Sequence, residues 1–159
     1  MKIRRAVSED VPGVLSLLSQ VLEVHAKIRP DIFLPGTTKY NRDELLEMFR
    51  DDKRPVYVAV DDEGKTLGYA FCQLKEIKAD TMIPKRSIYI DDLCVDEAAR
   101  GQHIATRLFE HVRSEAERLG CRDITLNVWE GNDSALSFYR AMGMTPRATL
   151  MEYDLEDRT

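Results

Sequence analysis

The sequence predicts a mixed α/β fold: a mostly antiparallel central sheet of about six to seven strands, helices on both faces, and one parallel β-α-β crossover. Three observations point there. Two amphipathic helical stretches precede a run of three strand-like segments within residues 56–95. A strand, a helix and a second strand then occupy residues 87–128, and such a unit takes a right-handed crossover between parallel strands. The 159 residues suffice for one proper core, so residues 1–159 are expected to form a single domain.

In chain order, residues 2–6 alternate weakly and suit a short first strand. Ser8 is a good N-cap, with Glu9 and Asp10 in the first turn and Pro12 early enough to be tolerated. Val14, Leu17, Leu18, Val21 and Leu22 then recur at helical spacing to about Val24. Residues 25–38 carry Pro30, Pro35 and Gly36 and read as a loop with apolar Ile32, Phe33 and Leu34. Asn41 opens a second helix, with Glu44 placed for a capping box and Leu45, Leu46, Met48 and Phe49 on the buried face. Residues 56–60 and 66–74 form a hairpin about an Asp61-Asp62-Glu63-Gly64 turn, and Gly68 within the second strand signals a bulge or a close approach. Residues 75–85 read as a polar, flexible hairpin connection with Pro84 near its end, and residues 87–95 as the next strand. Ile104, Leu108, Val112, Ala116 and Leu119 make a helical stripe closed by Gly120. Ile124, Leu126 and Val128 alternate as a strand over residues 123–128. Asn132 or Asp133 caps a short helix ending at Gly143, and residues 149–155 suit a last strand.

Composition excludes several functions. A hydrophobic fraction of 43% with 32% charged residues is that of a soluble globular protein. The net charge of −5 argues against general binding to nucleic acid or to an anionic membrane. No apolar run is long enough to cross a bilayer, and the start MKIRRAVSED lacks the apolar stretch of a signal peptide. Cys72, Cys94 and Cys121 sit in apolar segments, as reduced thiols of a cytoplasmic protein do. Neither they nor the scattered His25, His103 and His111 have metal-ligand spacing, so no metal is expected.

Chemistry concentrates at the turn after Val95. Arg100-Gly101 opens a helix whose first turn has no carboxylate, so unpaired backbone N–H groups and the positive end of the helix dipole face outward. Such a turn holds anions, most often phosphate. It also lies at the carboxyl end of parallel strands, where ligands of α/β sheets collect.

Two motifs in this region resemble those of the GNAT superfamily of N-acetyltransferases. The first, Arg100-Gly101-Gln102-His103-Ile104-Ala105, is similar to the family's Q/R-x-x-G-x-G/A turn for the pyrophosphate of acetyl-CoA; His103 stands where the family has its middle glycine. The second, NDSALSFYRAMG over residues 132–143, is similar to an Asn before a short helix containing a Tyr and ending in Gly. The resemblance covers nearly the whole chain. It implies a sheet splayed between its fourth and fifth strands and acetyl transfer from a thioester directly to a primary amine of a small molecule or protein. It implies that residues 100–106, Thr106 included, cradle the pyrophosphate and that Asn132 and Tyr139 extend the cofactor site. The strand backbone at Leu93, Cys94 and Val95 would meet the thioester, and Tyr139 the departing thiolate. A homodimer is implied, as in many relatives. A non-catalytic acyl-CoA-binding regulatory module of the same fold is the alternative.

An amine of pKa about 10.4 is mostly protonated at neutral pH, so a base must take its proton or the rare neutral form must be captured. Asp91, Asp92 and Glu130 are the candidate carboxylates. Strand alternation sends Asp91 and Asp92 to opposite faces, and Asp92 is favoured because Leu93 and Val95 occupy the core face. Relatives that acetylate protein N-termini often carry a Glu where this chain has Asn127, which cannot act as a base. The resemblance implies that His25 and Phe33, in the segment after the first helix, line the acceptor pocket, whereas Trp129 suits either the acceptor groove or a subunit interface.

Overall fold

The computed structural model describes residues 1–156; the last three residues of the expected 1–159 domain lie outside the described residues. Its elements are β1 (Lys2–Arg5), α1 (Val11–Ile28), α2 (Arg42–Phe49), β2 (Val56–Val60), β3 (Thr66–Ala79), β4 (Met82–Val95), α3 (Ile104–Arg118), β5 (Asp123–Leu126) and α4 (Asp133–Ala141). The strands form one sheet in the order β1-β2-β3-β4-β5. Every pairing is antiparallel except β4–β5, the expected parallel crossover through α3.

Two apolar layers sandwich this sheet. On one face Val14, Leu17 and Leu18 of α1 and Leu45 and Phe49 of α2 pack on Val56, Val58, Tyr69 and Phe71. On the other, Ile104, Leu108, Phe109 and Val112 of α3 pack on Tyr57, Ala70, Ile88 and Ile90, with Phe138, Tyr139 and Met142 from α4 at the margin. β2, VYVAV, is buried at every position because both of its faces are covered. A Cβ on Gly68 would stand 2.9 Å from the Cys94 carbonyl and 3.1 Å from Leu108, so glycine there permits the close seating of α3.

The helix starts follow local chemistry. Asn41 and Glu44 make the expected capping box, with bonds of 2.9 and 3.0 Å. At α1 the expected Ser8 cap is replaced by a 3-10 turn over Ser8–Asp10. There Asp10 accepts the Val7 N–H at 2.8 Å and both prongs of Arg4 at 2.7 and 3.1 Å. Its side chain is only 2% exposed, and the bidentate pair ties the helix to β1. α1 then continues to Ile28, one turn past the expected end.

Two expectations are corrected. Residues 75–85 form the expected hairpin, but as strand rather than as a flexible connection: β3 and β4 continue as a paired ribbon to Ala79↔Met82, with an irregularity between Ile77 and Ala79 near Pro84, which lacks an N–H for the ladder. The sheet has five strands among the described residues rather than six to seven, because residues 149–155 are extended but join no ladder. Alternation reports that a segment is extended; it does not supply the neighbour whose hydrogen bonds make it a strand.

Asp123 fastens the first turn of β5. It accepts bonds from Lys85 at 2.6 Å, Ser87 at 2.5 Å and Arg147 at 3.0 Å. These outweigh the opposing effect of burial and hold its carboxyl well below the ordinary range. A lowered folded-state pKa contributes stability that is present above the unfolded value and lost as pH falls through the folded one. Asp123→Asn is expected to cost about 2 kcal/mol at pH 7 and to blunt the loss of stability below about pH 4. Urea titrations at pH 7 and pH 3 measure both, and equal pH dependence in the two proteins would contradict it.

Candidate active site

The central feature is one extra residue in β4. Its register against β3 steps from Cys72↔Ile90 to Phe71↔Asp92, so Asp91 has no opposite number. Such a bulge re-aims side chains. Ile88 and Ile90 face α3, as do Leu93 and Val95 beyond the bulge, while Cys94 joins the α1 side. The expectation that Asp91 and Asp92 point to opposite faces fails for this reason: both reach the α1 side. Asp92 accepts from the Tyr69 hydroxyl at 2.6 Å, and Asp91 from Lys39 at 2.7 Å and Tyr40 at 3.3 Å. Phe71 links the two groups, stacked on Tyr40 and edge-on to Tyr69.

The parallel ladder ends at the same place. Its last pair is Ile90↔Leu126, whereas β4 runs on to Val95. The β5 side of residues 91–95 is therefore without ladder partners among the described residues, and the sheet opens there.

Beyond Val95 the chain makes the turn into α3. Gly101 and His103 both take left-handed backbone, at φ 82° and 59°. No side chain caps α3 and no acidic residue stands in its first turn. Its first bond, from Arg107 N–H to His103 C=O, leaves Ile104, Ala105 and Thr106 N–H without helical partners. A cavity of about 210 Å³ opens here, lined by Val95, Ala99, Arg100, Gly101, His103, Ile104, Ala105, Thr106 and Phe138. The cradle fits a phosphate group: it is uncapped, open and free of carboxylate. Gln102 is exposed beside this cavity, and Phe138 of α4 is part of its wall. Asn132 caps α4 through Ala135 N–H at 3.4 Å, a structural contact.

Tyr139 lies between the two ends. Burial, then the charges of Asp92, Cys72 and Cys94, push its pKa well above the ordinary 10.0. Cys94 is also buried, its thiol pushed up to about 12, so it is protonated and unreactive at neutral pH.

The other end is an acid-and-aromatic cluster. Burial raises the Asp92 carboxyl, against the lowering effect of Tyr69, His25 and Lys39. His25 is lowered below 6.5, chiefly by burial and against the pull of Asp92, so it is neutral at pH 7. Burial opposes the Lys39 charge, but the Asp91 bond outweighs it and its pKa is raised. His25, Phe33 and Trp129 form an aromatic wall, with ring centroids 5.1 and 5.2 Å apart. The β5–α4 turn is thus packed against the end of α1. Asn127 is exposed and donates to the Tyr89 hydroxyl at 2.8 Å. Glu130 is exposed in the same turn and is not among the side chains bonded to the cluster. Lys39, Tyr40 and Tyr69 escaped the sequence reading. Only the bulge register brings them to the aspartates, and no spacing rule encodes it.

The comparisons with known proteins agree with this architecture. Residues 20–144 match the model of the Acetyltransferase (GNAT) family. The chain belongs to that family. A mutant of the BH1408 protein from Bacillus halodurans is 35% identical, with a TM-score of 0.93 over 98% of this chain and 99% of that one. Peptidyl-lysine N-acetyltransferase YjaB of Salmonella typhimurium is 30% identical over 70% of this chain and 63% of its own length. An aminoglycoside N-acetyltransferase, AAC(6')-Iy in complex with CoA, shares the fold at 15% identity, with a TM-score of 0.70 over 98% of this chain and 100% of that one. The chain spans between 34% and 63% of the length of the curated relatives it matches.

His103 holds a conformation that disfavours L-residues with a Cβ. His103→Gly is therefore expected to stabilise the protein by about 0.5–1 kcal/mol, the αL relief less glycine's entropy. Thermal unfolding without ligand checks this; a lower melting temperature would contradict it.

Proposed function

We propose that this protein is an acetyl-CoA-dependent N-acetyltransferase that transfers the acetyl group directly to a primary amine. The observation that carries the reading is the alignment of three parts along β4: an anion cradle at its end, an opened sheet edge at residues 91–95, and paired aspartates at the bulge.

In this reading the N–H groups of residues 101–106 and Arg100 hold the pyrophosphate at the positive end of α3. The open β4 edge at Leu93, Cys94 and Val95 presents backbone N–H groups to the thioester carbonyl, where negative charge develops. Asn132 acts indirectly, by fixing the start of the helix that carries Tyr139. The free amine attacks the carbonyl carbon, the C–S bond breaks, and the thiolate leaves. Proton transfer to it from an ordinary tyrosine is uphill by about 2 kcal/mol, and the raised pKa of Tyr139 makes it more so. Tyr139 therefore stabilises the thiolate by donating a hydrogen bond. The amide nitrogen's own proton completes the exchange.

The acceptor side is suited to a cation. Asp91 already holds a primary ammonium, that of Lys39, whose side chain is half exposed and free to give way. Asp92 and neutral His25 are the groups that take the amine's proton, directly or through a water. Phe33 and Trp129 cover the amine's carbon chain, and Asn127 contributes a polar contact rather than a base. Glu130 stands at the rim. That the YjaB relative is named a peptidyl-lysine enzyme supports an amine of this kind.

Incubation with acetyl-CoA and a panel of primary amines and lysine peptides should release free CoA thiol with at least one acceptor. Binding of acetyl-CoA without thiol release would instead identify a non-catalytic acyl-CoA module. Tyr139→Phe is expected to lower kcat by about 10- to 100-fold while CoA affinity changes less than about threefold, because the hydroxyl acts only as charge develops. Equal losses in both would contradict its role. With His25 as the base, log kcat/KM should fall only as pH drops through the His25 pKa, which burial holds below its ordinary 6.5, and be flat above it. A unit slope rising to the amine's own pKa would show instead that the neutral amine is captured without a base.

A further inference from the structure

The acceptor cluster already contains a primary amine of the chain itself. Lys39 Nζ donates to Asp91 Oδ2 at 2.7 Å, stands 5.5 Å from the centre of the Tyr40 ring and feels the charge of Asp92, as His25 does. A carboxylate, an aromatic face and a nearby proton acceptor are what an acceptor amine requires. The Lys39 side chain is half exposed and belongs to the stretch between α1 and α2, outside any helix or strand. Its flexible four-carbon stem lets the ammonium move along the cluster while the backbone stays in place. The loop is anchored, with Gly36 N–H donating to Glu23 at 2.9 Å and the Thr37 hydroxyl to the Leu34 carbonyl at 2.8 Å. A tethered amine of this kind is present at an effective concentration of about millimolar or more, whatever the supply of free amine.

Other lysines are placed differently. Lys85 also bonds an aspartate, Asp123 at 2.6 Å, but at the start of β5 and so at the end of that strand away from the opened sheet edge. Lys65 approaches Asp96 at 3.9 Å, and Lys75 lies over the Tyr89 ring.

Resting on the acetyl-transfer reading above, we propose that Lys39 is a self-acetylation site, and that its modification frees Asp91 for a cationic acceptor. The Lys39 ammonium gives one proton to Asp92 or His25. Its nitrogen then forms a bond to the thioester carbonyl carbon, the C–S bond breaks, and the thiolate leaves with a second proton from that nitrogen as CoA thiol. One acetyl group is consumed per chain. The Asp91 bond keeps Lys39 protonated at rest, so the step is slow beside turnover of a free amine. Acetyl-lysine is neutral. An incoming ammonium then meets an unopposed Asp91 instead of having to displace Lys39.

Incubated with acetyl-CoA and no amine, the full chain should gain the mass of one acetyl group, located by peptide mapping on Lys39 and absent from Lys39→Arg. The rate should be unchanged by about tenfold dilution of the protein, as for an intramolecular step, and at least about tenfold lower in Tyr139→Phe. A magnetic-resonance titration with butylammonium, without acetyl-CoA, should show Lys39→Gln binding this cation about two- to fivefold more tightly than the unmodified chain. Equal or weaker binding would overturn the unblocking of Asp91. Acetylation spread over the exposed lysines, or a rate that rises with protein concentration, would overturn the self-acetylation. Thiol release with an added amine while Lys39 stays unmodified would also overturn it and leave the transferase reading standing. Neither thiol release nor modification would sink both.

Discussion

One inserted residue in a strand organises the site. Two carboxylates adjacent in a regular strand point away from each other, and a sheet buried on both faces would leave each in its own apolar layer. The bulge at Asp91 turns both to the α1 side. There Tyr69, Tyr40 and Lys39 supply the hydrogen bonds without which buried carboxylates are costly. The same irregularity coincides with the end of the β4–β5 ladder at Ile90↔Leu126. A single local departure thus assembles an acidic cluster and exposes a row of strand backbone beside it. Both depend on β3 keeping its register, which Tyr69 and Phe71 anchor in the core against α1 and α2.

The other end of β4 follows a different economy. Anion binding at a helix start needs N–H groups left open, and this turn leaves them open at some conformational cost. His103 adopts the left-handed backbone although it carries a Cβ, which histidine tolerates better than most residues. A requirement for backbone geometry rather than for a particular side chain explains why the turn retains its shape without a second glycine.

What could be read in advance followed from chain-local physics. The capping box at Asn41, the α3 stripe from Ile104 to Ala116 and the turn at Gly101 depend on neighbours within a few residues, and the structure has them. The acidic cluster was not legible in the same way. Asp91 and Asp92 stood out as candidates, but their common orientation depends on a register shift against β3, a strand some twenty residues away. Lys39 and Tyr40 sit in a loop with no periodicity, and only the closed fold brings them to Asp91. The final segment failed as a strand for a related reason: its pattern marks an extended stretch, but no strand pairs with it among the described residues.

The electrostatics of the cluster constrain how an amine could be handled. Burial disfavours charge at Asp92 and at His25 alike, raising one and lowering the other. The two are thereby brought closer in proton affinity than an ordinary aspartate and histidine. Asp91 is differently placed, since its carboxylate is already matched by the Lys39 ammonium. An incoming ammonium that displaces Lys39 exchanges one cation for another and leaves the charge of the cluster unchanged. On the proposed reading, binding would then cost little electrostatically, and the gain would fall at the step in which the amine gives up its proton. On that reading the site would discriminate by charge and reach rather than by fine shape, with the aromatic contact of Phe33 and Trp129 left to choose among amines.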